Sequence, residues 1–191
     1  AIGVLLFAAL GKDPVRGLQV FFWEPIKSGY ALGELMVKAT PLLIIALGLS
    51  VCFRSNVWNI GAEGQFVIGA IPAGGVALLA GKETGRWIVV AVLLAGVLGG
   101  MAWAGITAFL RDKFNANEIL VSLMLVYVAI QVLGYLVYGP WKDPAGYNFP
   151  QTRTFDAVTQ IPSLMSGSRA NIGAVIALAG AALLWVFLFR T

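Results

Sequence analysis

Long apolar runs separated by short charged segments are the dominant pattern of this chain. A helix needs about 20 apolar residues to cross the roughly 30 Å of hydrocarbon in a bilayer. Three uncharged runs meet that requirement by themselves and predict complete spanning helices: 87–110, 119–139 and 172–189.

Two further segments predict spans, although one is short and the other contains a charge. The uncharged run 39–53 reaches full length only if the preceding stretch belongs to the same helix, with Glu34 and Lys38 one turn apart as an i,i+4 pair. The run 57–81 is long enough and carries a single charge, Glu63. Five full spans are therefore predicted.

The ends and the connections complete the predicted organisation. The apolar start, 1–10, is too short to span, and it lacks the basic region and the small-residue cleavage site of a signal peptide. We interpret it as the end of a truncated helix. Proline-rich and aromatic connections are predicted at 11–29 and 140–171. The prediction is an all-α, polytopic membrane protein with five full transmembrane helices and part of a sixth, a single-domain fragment covering 1–191.

Composition excludes several classes of protein. Hydrophobic residues make up 59% of the chain and charged residues 12%, about half the share of a soluble domain. A soluble enzyme, a disordered chain and a disulfide scaffold are excluded. The chain has one cysteine and no histidine, so we expect no metal site, no catalytic residue and no cofactor. The net charge of +4 without a basic run favours contact with the lipid bilayer over nucleic acid.

Polar side chains and glycines interrupt the apolar pattern near 57–66: Asn59, Gly61, Glu63, Gly64 and Gln65. Polar groups at membrane depth are tolerated where they face protein or a water-filled cavity. One interpretation is a broken or re-entrant helix whose polar groups line a substrate path. The other is a short interfacial loop before a span that starts at Phe66, with Glu63 in the first helical turn.

Four polar residues accompany the fourth predicted span. Asn115 or Asn117 can cap the helix that follows, and Glu118 would lie in its first turn, where the helix dipole favours an anion. Capping is favoured over a binding role. Gln131 lies in the middle of the span, and an amide there needs a partner. A hydrogen bond between helices and a position facing a pore both remain open.

Gly96 and Gly100 form a GxxxG pair in the third predicted span. Small residues at this spacing allow two helices to approach closely. The pair is interpreted as internal helix packing and not as a dimerisation signal.

Several segments resemble permease subunits of bacterial ATP-binding-cassette importers, in the simple sugar and nucleoside branch (ribose- and branched-chain amino acid-like). They are YALGELMVKATPL at 30–42, VWNIGAEGQ at 57–65, NEILVSLML at 117–125, GPWKDP at 139–144 and FPQ at 149–151. The segment at 117 looks like the one after the family's short cytoplasmic loop, and the last two look like its external loop. Val126 departs from the pattern, because many relatives carry asparagine there, so specificity is expected to differ if that amide contacts substrate.

The resemblance implies a longer protein in which 1–10 is the end of the first helix and Arg190 is cytoplasmic. That orientation places most basic residues outside, against the positive-inside rule. It also implies that the helix that docks on the ATPase lies beyond residue 191. This chain is then expected to bind neither ATP nor, productively, the ATPase.

The function implied is the transmembrane subunit of an ATP-driven importer, which forms the translocation pathway for a nucleoside or simple sugar. The implied location is the bacterial inner membrane. The implied partners are cytoplasmic ATP-binding subunits that carry out hydrolysis, an extracytoplasmic substrate-binding protein and a second permease subunit, identical or homologous. The candidates for the pathway or gate are Asn59, Glu63, Gln65, Asn117, Glu118 and Gln131.

Two alternatives from other classes remain open. A secondary transporter driven by an ion gradient predicts acids that face one another at the membrane midplane, and Glu63 is the one acid placed at depth. A non-transport membrane scaffold predicts no polar break in its spans.

Overall fold

The helices and their connections can be described for residues 2–80, 84–147, 149–164 and 168–190 in a computed structural model. Within these ranges the chain forms seven α-helices and no named strand: α1 Ile2–Ala9, α2 Pro14–Phe22, α3 Gly29–Arg54, α4 Ala62–Leu79, α5 Ile88–Phe114, α6 Glu118–Tyr138 and α7 Gly173–Arg190. Two 3-10 turns, Glu24–Ile26 and Ala157–Thr159, lie in the longer connections.

The five helices α3 to α7 are long and apolar enough to cross a membrane. This confirms the predicted all-α class and its five full spans, and the protein is a multi-pass membrane protein. Helix α3 includes Glu34 and Lys38, as the length argument required. Large apolar side chains on these helices are mostly exposed, as expected for side chains that contact acyl chains.

Two features of the helices differ from the sequence pattern. The connection predicted at 11–29 contains a helix, α2, which begins because Asp13 accepts a hydrogen bond from the Val15 N–H and Pro14 occupies the first helical position. Helix α5 continues past Leu110 to Phe114, with Arg111 and Lys113 in its last turn, where the helix dipole favours cations.

The chain divides into two compact units. One comprises the described residues up to Leu47 and those from Ile161 onwards, and the other is Gly48–Gln160. The single domain expected from the sequence stays a prediction.

Glycines allow α4 to lie directly against α5 in the Gly48–Gln160 unit. A side-chain carbon on Gly69 would lie 2.9 Å from the carbonyl oxygen of Gly96, and one on Gly100 would lie 3.3 Å from the carbonyl oxygen of Gln65. Both distances are to backbone atoms, which cannot move aside as a flexible side chain can. Gly96 and Gly100 therefore face a helix of their own unit.

Glycines also bring α4 against α6. A side-chain carbon on Gly64 would lie 2.9 Å from the Cα of Val126, and one on Gly61 would lie 2.8 Å from the Cβ of Ser122. Ser122 is 1% exposed, and Ala129, two turns further along α6, is fully buried. The first turn of α4 is thus held against α6 by backbone contact.

In the other unit, the segment before α7 is attached to α3. Arg169 donates from its Nε to Glu34 Oε1 at 2.7 Å and forms a second bond to the other carboxylate oxygen. The hydrogen bond to Glu34 raises the pKa of Arg169 above its ordinary value. Ser168 occupies the space where a side chain on Gly33 would be, and Ala170 is buried. A bidentate ion pair of this geometry fixes orientation as well as distance.

Substitution of Gly69 tests the close contact between α4 and α5. We expect Gly69→Leu to lower the free energy of unfolding by about 1–3 kcal/mol, because the new side chain meets the backbone of α5. The measurement is unfolding in detergent micelles. The matched control is Gly105→Leu on α5, since a side-chain carbon there has no neighbour within 4 Å. An equal loss in both variants would contradict the packing described.

Candidate functional site

Two polar connections meet at one end of the Gly48–Gln160 unit. The first connection follows α3, which ends through Asn56 at φ 55°, and the second follows α5, which ends through Asn115 at φ 53°. Asparagine enters this left-handed region more readily than most residues. After Asn56, the Val57 N–H returns to the carbonyl of Cys52 at 2.9 Å and closes the helix end.

Glu118 joins the two connections. Its Oε1 accepts a hydrogen bond from the backbone N–H of Trp58 at 2.9 Å, and its other oxygen pairs with the guanidinium of Arg111. The Glu118 side chain is only 14% exposed, whereas that of Arg111 is 46% exposed. The carboxylate also lies in the first turn of α6, where the helix dipole stabilises it.

Asn117 caps α6. Its Oδ1 accepts hydrogen bonds from the backbone N–H groups of Ile119 at 3.0 Å and Leu120 at 3.3 Å. Of the two asparagines that the sequence offered for this role, Asn117 is the cap, and Asn115 instead terminates α5. The capped N-terminus fixes Glu118 in the orientation that reaches Trp58.

Asn59 and Gln65 form a reciprocal amide pair. The Asn59 Nδ2 donates to Gln65 Oε1 at 3.1 Å, and the Gln65 Nε2 donates to Asn59 Oδ1 at 3.3 Å. Asn59 Oδ1 also accepts from the Gly61 N–H at 2.9 Å. Each amide nitrogen carries two N–H donors, so one donor on each residue remains available for a further partner.

These groups border a pocket of about 530 Å³. This volume lies within the usual range for small-molecule sites. Part of the wall is apolar and comes from Val57, Ala104 and Ala108. Hydrogen-bonding and charged side chains supply the rest, among them Asn59, Gln65, Thr107, Arg111, Asp112 and Glu118. The pocket therefore combines neutral amides with the Arg111–Glu118 pair and with a second carboxylate, Asp112, which lies 3.5 Å from the ammonium group of Lys113.

Three candidates from the sequence lie outside the pocket lining: Asn117, which caps α6 beside it, Glu63 and Gln131. Glu63 is exposed in the first turn of α4. This placement agrees with the loop interpretation, except that the helix begins at Ala62 and not at Phe66, because the Gln65 N–H already bonds to the Gly61 carbonyl. The irregular segment predicted near 57–66 covers residues 55–61 in the structure.

Gln131 is exposed on α6, on a surface that it shares with Tyr127 and Tyr135. Among the described residues its side chain makes no hydrogen bond to another helix. The structure thus brings together Asn59, Gln65 and Glu118, with Asn117 beside them, and leaves Glu63 and Gln131 apart.

Sequence reasoning did not select Arg111, Thr107 or Cys52 as site residues. A signal for the first two was present, since 104, 107, 108 and 111 follow the spacing of a single helix face. No signal linked that face to Asn59, because the relation depends on how α4 and α5 pack.

Residues 31–191 match the family described as branched-chain amino acid transport system / permease component. The chain belongs to this family. The match confirms the resemblance to ABC importer permeases that the sequence segments carried. No solved structure matches the permease chain significantly.

Three curated proteins named as ABC transporter permeases are similar to this chain. The glucose ABC transporter permease protein of Haloferax volcanii is 35% identical over 86% of this chain and 43% of its own length. The guanosine ABC transporter permease protein of Bacillus subtilis is 25% identical over 100% of this chain and 55% of its own. The nucleoside ABC transporter permease protein of Lactococcus lactis is 23% identical over 100% of this chain and 54% of its own length. The chain thus spans about half the length of these relatives.

The cap at Asn117 gives a direct test of the local geometry. We expect Asn117→Ala to lower the free energy of unfolding by about 1 kcal/mol, because two backbone N–H groups lose their acceptor. Asn117→Ser keeps an acceptor and should retain most of the stability. Denaturant titration in detergent micelles measures both. Equal stability of the alanine and serine variants would contradict the capping role.

Proposed function

We propose that the chain is part of the transmembrane subunit of an ATP-driven importer and forms the translocation pathway for a nucleoside or simple sugar. The observation that carries the proposal is a pocket bordered by paired amides in a helical membrane unit of this permease family. The relatives named for glucose, guanosine and nucleoside transport support the substrate class. The membrane is the bacterial inner membrane.

The chemistry of the pocket suits a neutral, hydroxyl-rich or base-bearing solute. Asn59 and Gln65 offer both donors and acceptors and carry no charge, and these are the groups that pair with sugar hydroxyls and base edges. Arg111 and Glu118 largely neutralise each other, and the third charged side chain of the lining, Asp112, is paired with Lys113 at 3.5 Å. A neutral substrate then passes without the cost of desolvating an ion.

The hydrogen bond and ion pair of Glu118 also link two connections between helices. Glu118 binds the backbone of the α3–α4 connection and the last turn of α5 at once. A displacement of either connection is therefore transmitted to the other. ATP binding on separate subunits shifts the pathway between outward and inward access, to the extent that ATP binds the two states with different affinity.

The remaining partners follow from the same proposal. Cytoplasmic ATP-binding subunits hydrolyse ATP, an extracytoplasmic binding protein delivers the solute, and a second permease subunit completes the pore. Glu63 and Gln131 are exposed on α4 and α6, so their role in the pathway requires that these faces line a passage shared with the second subunit.

The source of energy separates this proposal from a secondary transporter. With the complete permease and its partner subunits in cells, we expect uptake of labelled nucleoside or sugar to stop when ATP is depleted. Uptake should continue when a protonophore collapses the gradient while ATP is held constant. The opposite pattern would refute the ATP-driven mechanism and favour an ion gradient.

The amide pair tests the proposed site. We expect Asn59→Ala and Gln65→Ala each to lower uptake at limiting substrate by roughly fivefold or more, because each leaves the partner amide without its hydrogen bond. The double variant should be little worse than either single variant, since both remove the same pair. Gln19→Ala, an exposed amide on α2, is the matched control. Full uptake by the double variant would remove this pocket from the pathway.

A further inference from the structure

A groove of about 880 Å³ lies along the corner between α1 and α2, in the unit that does not contain the amide pocket. Its apolar wall includes Phe7, Val20, Phe21 and Pro25. Two cations, Lys12 and Arg16, border it. The groove therefore joins an apolar surface to positive charge.

Backbone geometry fixes the corner. Gly11 adopts φ 66°, and the N–H groups of Gly11 and Lys12 bond to the carbonyls of Ala8 and Phe7 at 3.1 and 2.9 Å. This is the glycine-terminated helix end that satisfies the last carbonyls. Gly17 lies against the ring of Phe7, where a side-chain carbon would come within 2.9 Å. The position of Lys12 beside α2 is thus set by the fold of the turn.

The two cations have no carboxylate at ion-pair distance within the described part of the chain. Asp13, which lies between them in sequence and also borders the groove, is engaged as the cap of α2 and accepts from the Val15 N–H at 2.9 Å. The positive charge of Lys12 and Arg16 is therefore available for an external anion. A complementary ligand needs an anionic group and an apolar body.

The remaining surface of α2 indicates where such a ligand would come from. Val15, Leu18 and Phe22 lie on another face of the helix and are exposed, and Trp23 follows directly. A short amphipathic helix with exposed aromatic residues is typical of the membrane interface. The spanning helix α3 begins soon afterwards, at Gly29. Phospholipid is the amphiphile present at that depth.

We propose that the α1–α2 groove binds an anionic phospholipid. The phosphate lies between Lys12 and Arg16, and the upper part of an acyl chain lies against Phe7, Val20 and Phe21. The long stems of lysine and arginine can lie along apolar surface while their charged ends reach the phosphate. A zwitterionic lipid offers the same chains without net negative charge, so the site should discriminate between the two classes.

Lipid titration of the complete permease in neutral detergent tests the site. Phosphatidylglycerol and phosphatidylcholine with identical acyl chains are compared by native mass spectrometry of the bound lipid. Each basic residue near a membrane surface contributes about 1 kcal/mol to the binding of anionic lipid, so we expect Arg16→Gln to weaken phosphatidylglycerol binding by roughly fivefold. The matched control is Lys27→Gln, which removes one cation of the same unit outside the groove and should bind as the parent does.

Two further arms separate the phosphate from the lipid. Val20→Gln, which leaves both cations in place, should also weaken phosphatidylglycerol binding because it makes the apolar wall polar. Inorganic phosphate at millimolar concentration should not displace the lipid. The proposal is overturned if phosphatidylcholine binds equally well, if Arg16→Gln and Lys27→Gln behave alike, or if free phosphate competes.

Discussion

The backbone contact of α4 with its two neighbours is the constraint on which the rest of the Gly48–Gln160 unit depends. In a membrane the lipid is as apolar as the side chains, so helices associate through close packing and hydrogen bonds and not through the hydrophobic effect. Gly64 and Gly69 permit that packing, since their missing side chains leave room for the backbones of α6 and α5. A larger side chain at either position would separate the helices and the polar groups at their ends.

The hydrogen bond and ion pair of Glu118 depend on this close approach of the helices. Because the start of α4 lies against α6, Trp58 reaches Glu118, and Glu118 in turn holds Arg111 at the end of α5. Four helix ends are thus linked around one pocket by a single carboxylate and an amide pair. In the proposed importer, this network supplies polar surface for a solute and couples the two connections.

Much of the fold is determined by local sequence, whereas the pocket is not. The uncharged runs predicted the spans, and Glu34 and Lys38 did not interrupt α3, since side chains near a span end can reach the interface. The effect of Gly61 and Gly64 was not readable from sequence: they suggested a broken helix, but they provide room for α6 while α4 runs unbroken from Ala62. The sequence did not identify Arg111 as a site residue, because its partner Glu118 lies on the next helix. The two side chains come together only when α5 and α6 pack in the folded protein.

Cys52 offers the most direct test that the amide-lined pocket lies on the transport pathway. It is the only cysteine of this chain and it borders the pocket, so its alkylation by a maleimide reports access to that space. With the complete transporter in membrane vesicles, peptide mass spectrometry would follow labelling at Cys52 with and without transported solute and ATP. The account predicts that labelling slows when solute is present and changes again when ATP is added. An identical labelling rate under all conditions, while the solute is still imported, would contradict it.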